Sequence, residues 1–205
     1  MIDWPVLLAF VPAALALNLT PGADMMFCVG QGLRAGPRAA LAADIGIALG
    51  AFVHVTLAGL GLGALVAAHP GLFHLIRWVG VAYLLWLAVQ SVRGGAMPIE
   101  IRPASARRAL RAGFIVNLTN PKVILFVLAF VPQFVDPARP VLPQFLVFGL
   151  VLALGGLVVN GAAGVFAGGI GRRFVAAEGP RRVLGWISAG IFTSLALRLA
   201  LLEKT

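Results

Sequence analysis

Between Arg139 and Arg172 the chain carries no Asp, Glu, Lys or Arg. No other feature restricts its fold so severely. Roughly 20 apolar residues cross about 30 Å of hydrocarbon, where every backbone polar group must find a partner inside the protein. The same freedom from charge recurs from Trp4 to Ala23, Ile45 to Ile76, Trp78 to Val92, Val123 to Val135 and Val183 to Leu197. Hydrophobic residues make up 60% of the chain and charged residues 11%, against about 25% charged in ordinary soluble domains. A soluble core could not hide so much apolar surface. The chain reads as an all-α membrane protein, since the short alternating segments of a barrel are absent.

The runs predict six transmembrane helices, at about 4–33, 39–68, 71–92, 107–135, 141–169 and 181–202. The short run after Lys122 must reach back through NLTNP to fill a span, and Arg77 and Arg198 must sit near an interface where basic side chains snorkel. One transmembrane domain over 1–205 is expected: a first unit over about 1–92, a loop at 93–106 and a second unit over about 107–205. The apolar N-terminus is expected to be retained, because its only charge is Asp3 and a cleaved signal carries positive charge there.

The net charge of +9 is unevenly placed. With six spans, one side receives eleven basic residues: Arg34 and Arg38, then Arg93, Arg102, Arg107, Arg108 and Arg111, then Arg172, Arg173, Arg181 and Arg182. The other receives four: Arg77, Arg139, Arg198 and Lys204. The positive-inside rule puts the eleven in the cytoplasm and both termini outside. The basic surface then meets anionic headgroups of the lipid bilayer and implies no nucleic acid partner.

NLTPGAD (18–24) and NLTNPK (117–122) place Asn, Thr, Pro and one charge inside two of the apolar spans. NLT recurs 99 positions apart, each time with a Pro within two residues, in the first span of each unit. An odd number of spans per unit means that the second enters the membrane from the opposite side. The prediction is two inverted three-helix repeats, a construction common in secondary transporters. Both motifs fall near the bilayer centre. There Pro21 and Pro121 remove a backbone donor, Gly22 is expected to add backbone freedom, and the residues before each Pro, Thr20 and Asn120, are pushed away from helical angles. The freed carbonyls need partners, which Asn18, Asn117 and the threonines can partly supply. A simple pair of kinks would suffice were it not for Asp24 and Lys122. An ionisable group at that depth costs at least about 2.5–3.5 kcal/mol, so both are expected to face a shared central cavity and to pair there.

His54, near the middle of the second span, is a candidate proton relay beside the alternative of a hydrogen-bonded packing residue. Asn160, in the fifth span, is a candidate path-lining residue. Asp44, about two turns from Arg38, is expected to pair with the basic rim. Gly46 with Gly50, and Gly164 with Gly168, have the spacing that lets helices approach closely. Cys28 is the only cysteine, which excludes an intrachain disulfide and a dithiol relay. No spacing of His, Cys and acidic residues makes a metal site, and no nucleophile–base pair or cofactor motif appears. The expectation is a protein that is not an enzyme and needs no cofactor.

LNLTPGAD, the span GIALGAFVH (46–54) and NLTNPKVILFVLAFVPQFVDP (117–137) resemble the lysine-exporter/homoserine-exporter (LysE/RhtB) family of bacterial amino-acid efflux proteins. The resemblance runs along nearly the whole chain. It implies six helices in the bacterial inner membrane and export of amino acids or related solutes, drawing on the proton-motive force. It marks Pro21, Gly22, Asp24, Gly50, His54, Asn117, Asn120, Pro121 and Lys122. Two departures stand out: Ala23 where the family often has a second Pro, and Ala51 where it often has Asp.

These features together predict an exporter working by alternating access. Its substrate-binding or translocation residues are Asn18, Thr20, Pro21, Gly22, Asp24, Asn117, Asn120, Pro121 and Lys122. Lys122 and the N–H groups of the broken helices suit a substrate carboxylate, and Asp24 suits an ammonium. Protons are the expected coupling ion, through Asp24 or His54, and a homo-oligomer is left open. Two rival readings are an exporter of another solute such as a metal cation, with only Asp24 and Asp44 to coordinate it, and a membrane scaffold without transport.

Overall fold

The computed structural model describes residues 2–68, 70–93, 105–167 and 178–201. Their regular structure is all helical, with no strand among the described residues. The order is α1 (Trp4–Leu19), α2 (Ala23–Ala35), α3 (Pro37–Ala68), α4 (Pro70–Arg93), α5 (Ala106–Leu118), α6 (Pro121–Leu125, continued by a π turn at Phe126–Phe130 and a 3-10 turn at Val131–Phe134), α7 (Val141–Phe166) and α8 (Glu178–Leu201). Most of the expected 93–106 loop and the segment 168–177 lie outside the described residues.

The predicted spans at 4–33 and 107–135 are each two helices rather than one. α1 and α2 meet at 52°, and α5 and α6 at 49°. The cause is local and the same in both. Thr20 (φ −69°, ψ 118°) and Asn120 (φ −77°, ψ 105°) are extended, as a residue before proline must be. Among the described residues, Pro37–Gly61 of α3 and α7 are each long and apolar enough to cross a membrane, and each bent pair is too if counted as one span. In α4 and α8 the apolar helix is shorter, at Trp78–Arg93 and Gly185–Leu197. The structure therefore supports two to four spans where the sequence reading expects six.

α3 is the hub. It packs most extensively on α5 and on α7, while α4 packs on α8 and α2 wedges between α3 and α7. The close crossings are made by glycine. A Cβ at Gly46 or Gly113 would strike the backbone of the facing helix, at Leu110 and Ala43 respectively. Gly36, at φ +85°, makes the tight turn between α2 and the Pro37 that opens α3. Aromatic rings pack α1, α6 and α7 together. Phe10 of α1 packs on Phe148 of α7 at 4.7 Å and on Phe134 at 5.3 Å, and Phe126, Phe130 and Phe134 follow one another along α6 in tilted and edge-on contacts. Trp4, Trp78 and Trp186 are exposed, as interface-belt residues are.

Candidate substrate site

The two helix breaks lie side by side, and the second supplies a donor to the first. In an unbroken α1 the Leu17 carbonyl would accept the N–H of residue 21, but Pro21 has none. Lys122, from the other break, takes that place. Its Nζ donates to Leu17 O at 2.9 Å and to Thr20 O at 2.9 Å. The second break is served in part by other helices. Asn117 O would accept from residue 121, which is Pro121. The Asn120 backbone N–H takes that place at 3.0 Å, and His54 Nε2 of α3 donates to the same oxygen at 3.1 Å, since a carbonyl only accepts. Tyr83 Oη donates to Pro121 O at 3.4 Å from α4.

Remaining polar groups of the motifs are used locally. Thr20 Oγ1 donates to Ala16 O at 2.7 Å and lies 3.5 Å from Ser91 Oγ. Thr119 Oγ1 donates to Ile115 O at 3.0 Å. Asn120 caps α6, its Oδ1 accepting the Lys122 backbone N–H at 3.0 Å. Asn18 Nδ2 donates to Leu152 O of α7 at 3.1 Å. Gly22 has an extended backbone (φ −162°) that any residue adopts. Its role is space rather than the expected freedom: a Cβ there would sit 3.0 Å from Lys122 Nζ.

Asp24, in the first turn of α2, is buried and accepts Asn117 Nδ2 at 2.9 Å. The expected direct ion pair with Lys122 is not made. The ammonium is held by backbone carbonyls, and the two charges interact only at longer range. The physical reason is the proline break itself, which offers two orphan acceptors nearer to hand.

Asp24 lines a central cavity of about 20 Å³, bounded also by Asn18, Asp44, Asn117, Asn160 and apolar residues of α1, α3, α6 and α7. Asp44 was expected at the basic rim. It is instead 1% exposed, its Oδ2 packed against Gly161 of α7. Its position on α3 explains this: Asp44, Ile47, Ala48 and Ala51 share one helix face, and all four line the cavity. That spacing was the available signal. Asn160 lies beside Asp44 on the same cavity. Among the described residues no group of three His, Cys, Asp or Glu could hold a metal ion. Outside the membrane region, Arg139 bonds Asp3 at 3.0 Å and Asp136 at 3.0 Å. These bonds, that to Asp3 first, raise the Arg139 pKa above its ordinary value.

The sequence model of LysE type translocators matches residues 15–203, a span that contains both breaks and the cavity. The chain belongs to this family. Among its relatives, a membrane protein of Vibrio cholerae is 42% identical over 72% of this chain and 74% of its own. The homoserine/homoserine lactone efflux protein of Salmonella typhimurium is 34% identical over 74% of this chain and 75% of its own. The leucine efflux protein of Klebsiella pneumoniae is 31% identical over 96% and 95%. No solved structure matches this LysE-type chain.

Proposed function

We propose that the protein exports an amino acid or a closely related small solute across the bacterial inner membrane, by alternating access and at the expense of the proton-motive force. The observation that carries this reading is the pair of proline-broken helices tied to each other by Lys122 on Leu17 and Thr20 and by Asn117 on Asp24, beside a buried polar cavity. Broken helices near the midplane are where secondary transporters bind their cargo. The inverted-repeat reading is supported by matching breaks of 52° and 49° and by the pairing of α3 with α7 and of α4 with α8, each helix against its counterpart in the other unit. The relatives' names support the substrate class. Homoserine, its lactone and leucine share a primary ammonium, while the lactone has no free carboxylate.

In this mechanism Asp24 takes the ammonium on the outward stroke and a proton on the return, so the two compete for one carboxylate. Lys122 uses two of its three N–H groups on α1, leaving one for a substrate carboxylate. Six spans, an inner-membrane location and outward-facing termini complete the reading. Overproduction in a host poisoned by homoserine or leucine should raise the tolerated concentration. Inverted vesicles should accumulate the same amino acid only with a pH gradient; gradient-independent transport would remove the proton. A protein that neither protects the host nor moves either amino acid would return the scaffold reading.

A further inference from the structure

The cavity is chemically one-sided. Asp24 Oδ1, both Asp44 oxygens and Asn117 Oδ1 belong to residues that line it, and none of the four closes a hydrogen bond. All four are acceptors. The Asn120 and Asn160 amides lie near the two carboxylates without completing such bonds. Asp24 is 6% exposed and Asp44 1% exposed, so bulk water does not serve them. Nor do the two basic side chains closest to hand: Lys122 is held by Leu17 and Thr20, and His54 donates to Asn117 O. Buried carboxylate oxygens without donors are costly and persist where something brings the missing hydrogens.

The volume narrows what that is. About 20 Å³ admits one water-sized group. A primary ammonium head is of that size, carries one positive charge and has three N–H donors for a set of four acceptors. A carboxylate would face two aspartates with only neutral asparagine amides to donate to it. A multivalent metal would lack the third strong ligand.

We propose that this cavity is a primary-ammonium site, in which Asp44 is a second carboxylate beside Asp24 and with it selects solutes that carry an –NH3⁺ group. This rests on the export reading for its place in transport, but the binding itself can be tested apart from transport.

The probe is methylammonium chloride, added to the purified full-length protein in detergent, with tetramethylammonium chloride and sodium chloride at equal ionic strength as comparisons. Methylammonium should raise the unfolding midpoint by about 2–4 °C, tetramethylammonium and sodium should not, and Asp44→Asn should lose the shift. A carbodiimide that labels buried carboxyls gives a second readout in the unaltered protein. Near-saturating methylammonium should slow Asp44 labelling about tenfold, read by mass spectrometry. This readout stands even if Asp44→Asn fails to fold. Equal protection by sodium would make the cavity an alkali-cation site and overturn the proposal. So would an undiminished shift in folded Asp44→Asn, or labelling indifferent to methylammonium. Export of leucine or homoserine without methylammonium protection sinks this site and leaves the exporter. Protection without export does the reverse.

Discussion

At the scale of single residues, the lysine most conspicuous in the sequence does something that composition could not announce. Lys122 stands in for the N–H that Pro21 lacks. Removing it should strand two carbonyls at a depth where no water compensates. Lys122→Met is therefore expected to destabilise the protein by about 2–4 kcal/mol, read by denaturation in detergent. Pro21→Ala gives Leu17 O its helical partner back. The double variant Pro21→Ala/Lys122→Met should then lose less than the two single losses combined, by about 1 kcal/mol or more. Strict additivity in that cycle would show that the cap is not what holds Lys122. Asp44 teaches the complementary lesson. Its distance from Arg38 along the chain pointed to the rim, while its periodicity with Ile47, Ala48 and Ala51 pointed to the interior. Packing followed the periodicity, because α3 turns its small-residue face towards α7.

At the scale of elements, glycine decides how close helices come. Gly46 and Gly113 put the backbones of α3 and α5 in contact, and Gly50 makes room for the Asn117 side chain. Gly113→Val would drive a branched side chain into Ala43. Overpacking of this kind costs typically about 1–3 kcal/mol, and a backbone on the far side has little room to give. A clear fall in the yield of monodisperse protein and in its unfolding midpoint is expected. Gly61→Ala, with nothing within 4 Å of the new Cβ, should change neither. If both variants behaved alike, the α3–α5 crossing would be looser than it is drawn. The G-x-x-x-G spacing of Gly46 and Gly50 was visible in the sequence, but its partner helix was not. Gly113 is the lone glycine of its helix, and only the looser small-residue spacing with Ala109 hints at it.

At the scale of the whole molecule, the distribution of arginine makes a topological prediction. Arg139 belongs to the poorly charged side, while Arg107 and Arg182 belong to the basic one. With Cys28 replaced by Ala, a cysteine at position 139 should react with an impermeant maleimide in intact cells. Cysteines at 107 or 182 should react only after the cells are opened. The opposite pattern would invert the assigned orientation and place both termini in the cytoplasm. The helical class, the two polar breaks and the family were legible in the sequence, since each depends on composition or on a contiguous motif. The number of spans was less so: α4 and α8 have described apolar stretches too short to count by length alone.

The sequence by itself determined that this chain is a bundle of apolar helices and that two of its spans break at Pro21 and Pro121. Those outcomes follow from hydropathy and from a missing N–H, both properties of residues in order. Only the tertiary structure decided what the breaks are for. It gave the carbonyl freed by Pro21 to Lys122, brought His54 to the Asn117 carbonyl as a second donor, turned Lys122 away from direct contact with Asp24, and set Asp44 on the same cavity as Asp24. Such pairings depend on which helix faces meet, and that is a property of packing across long separations rather than of any local pattern.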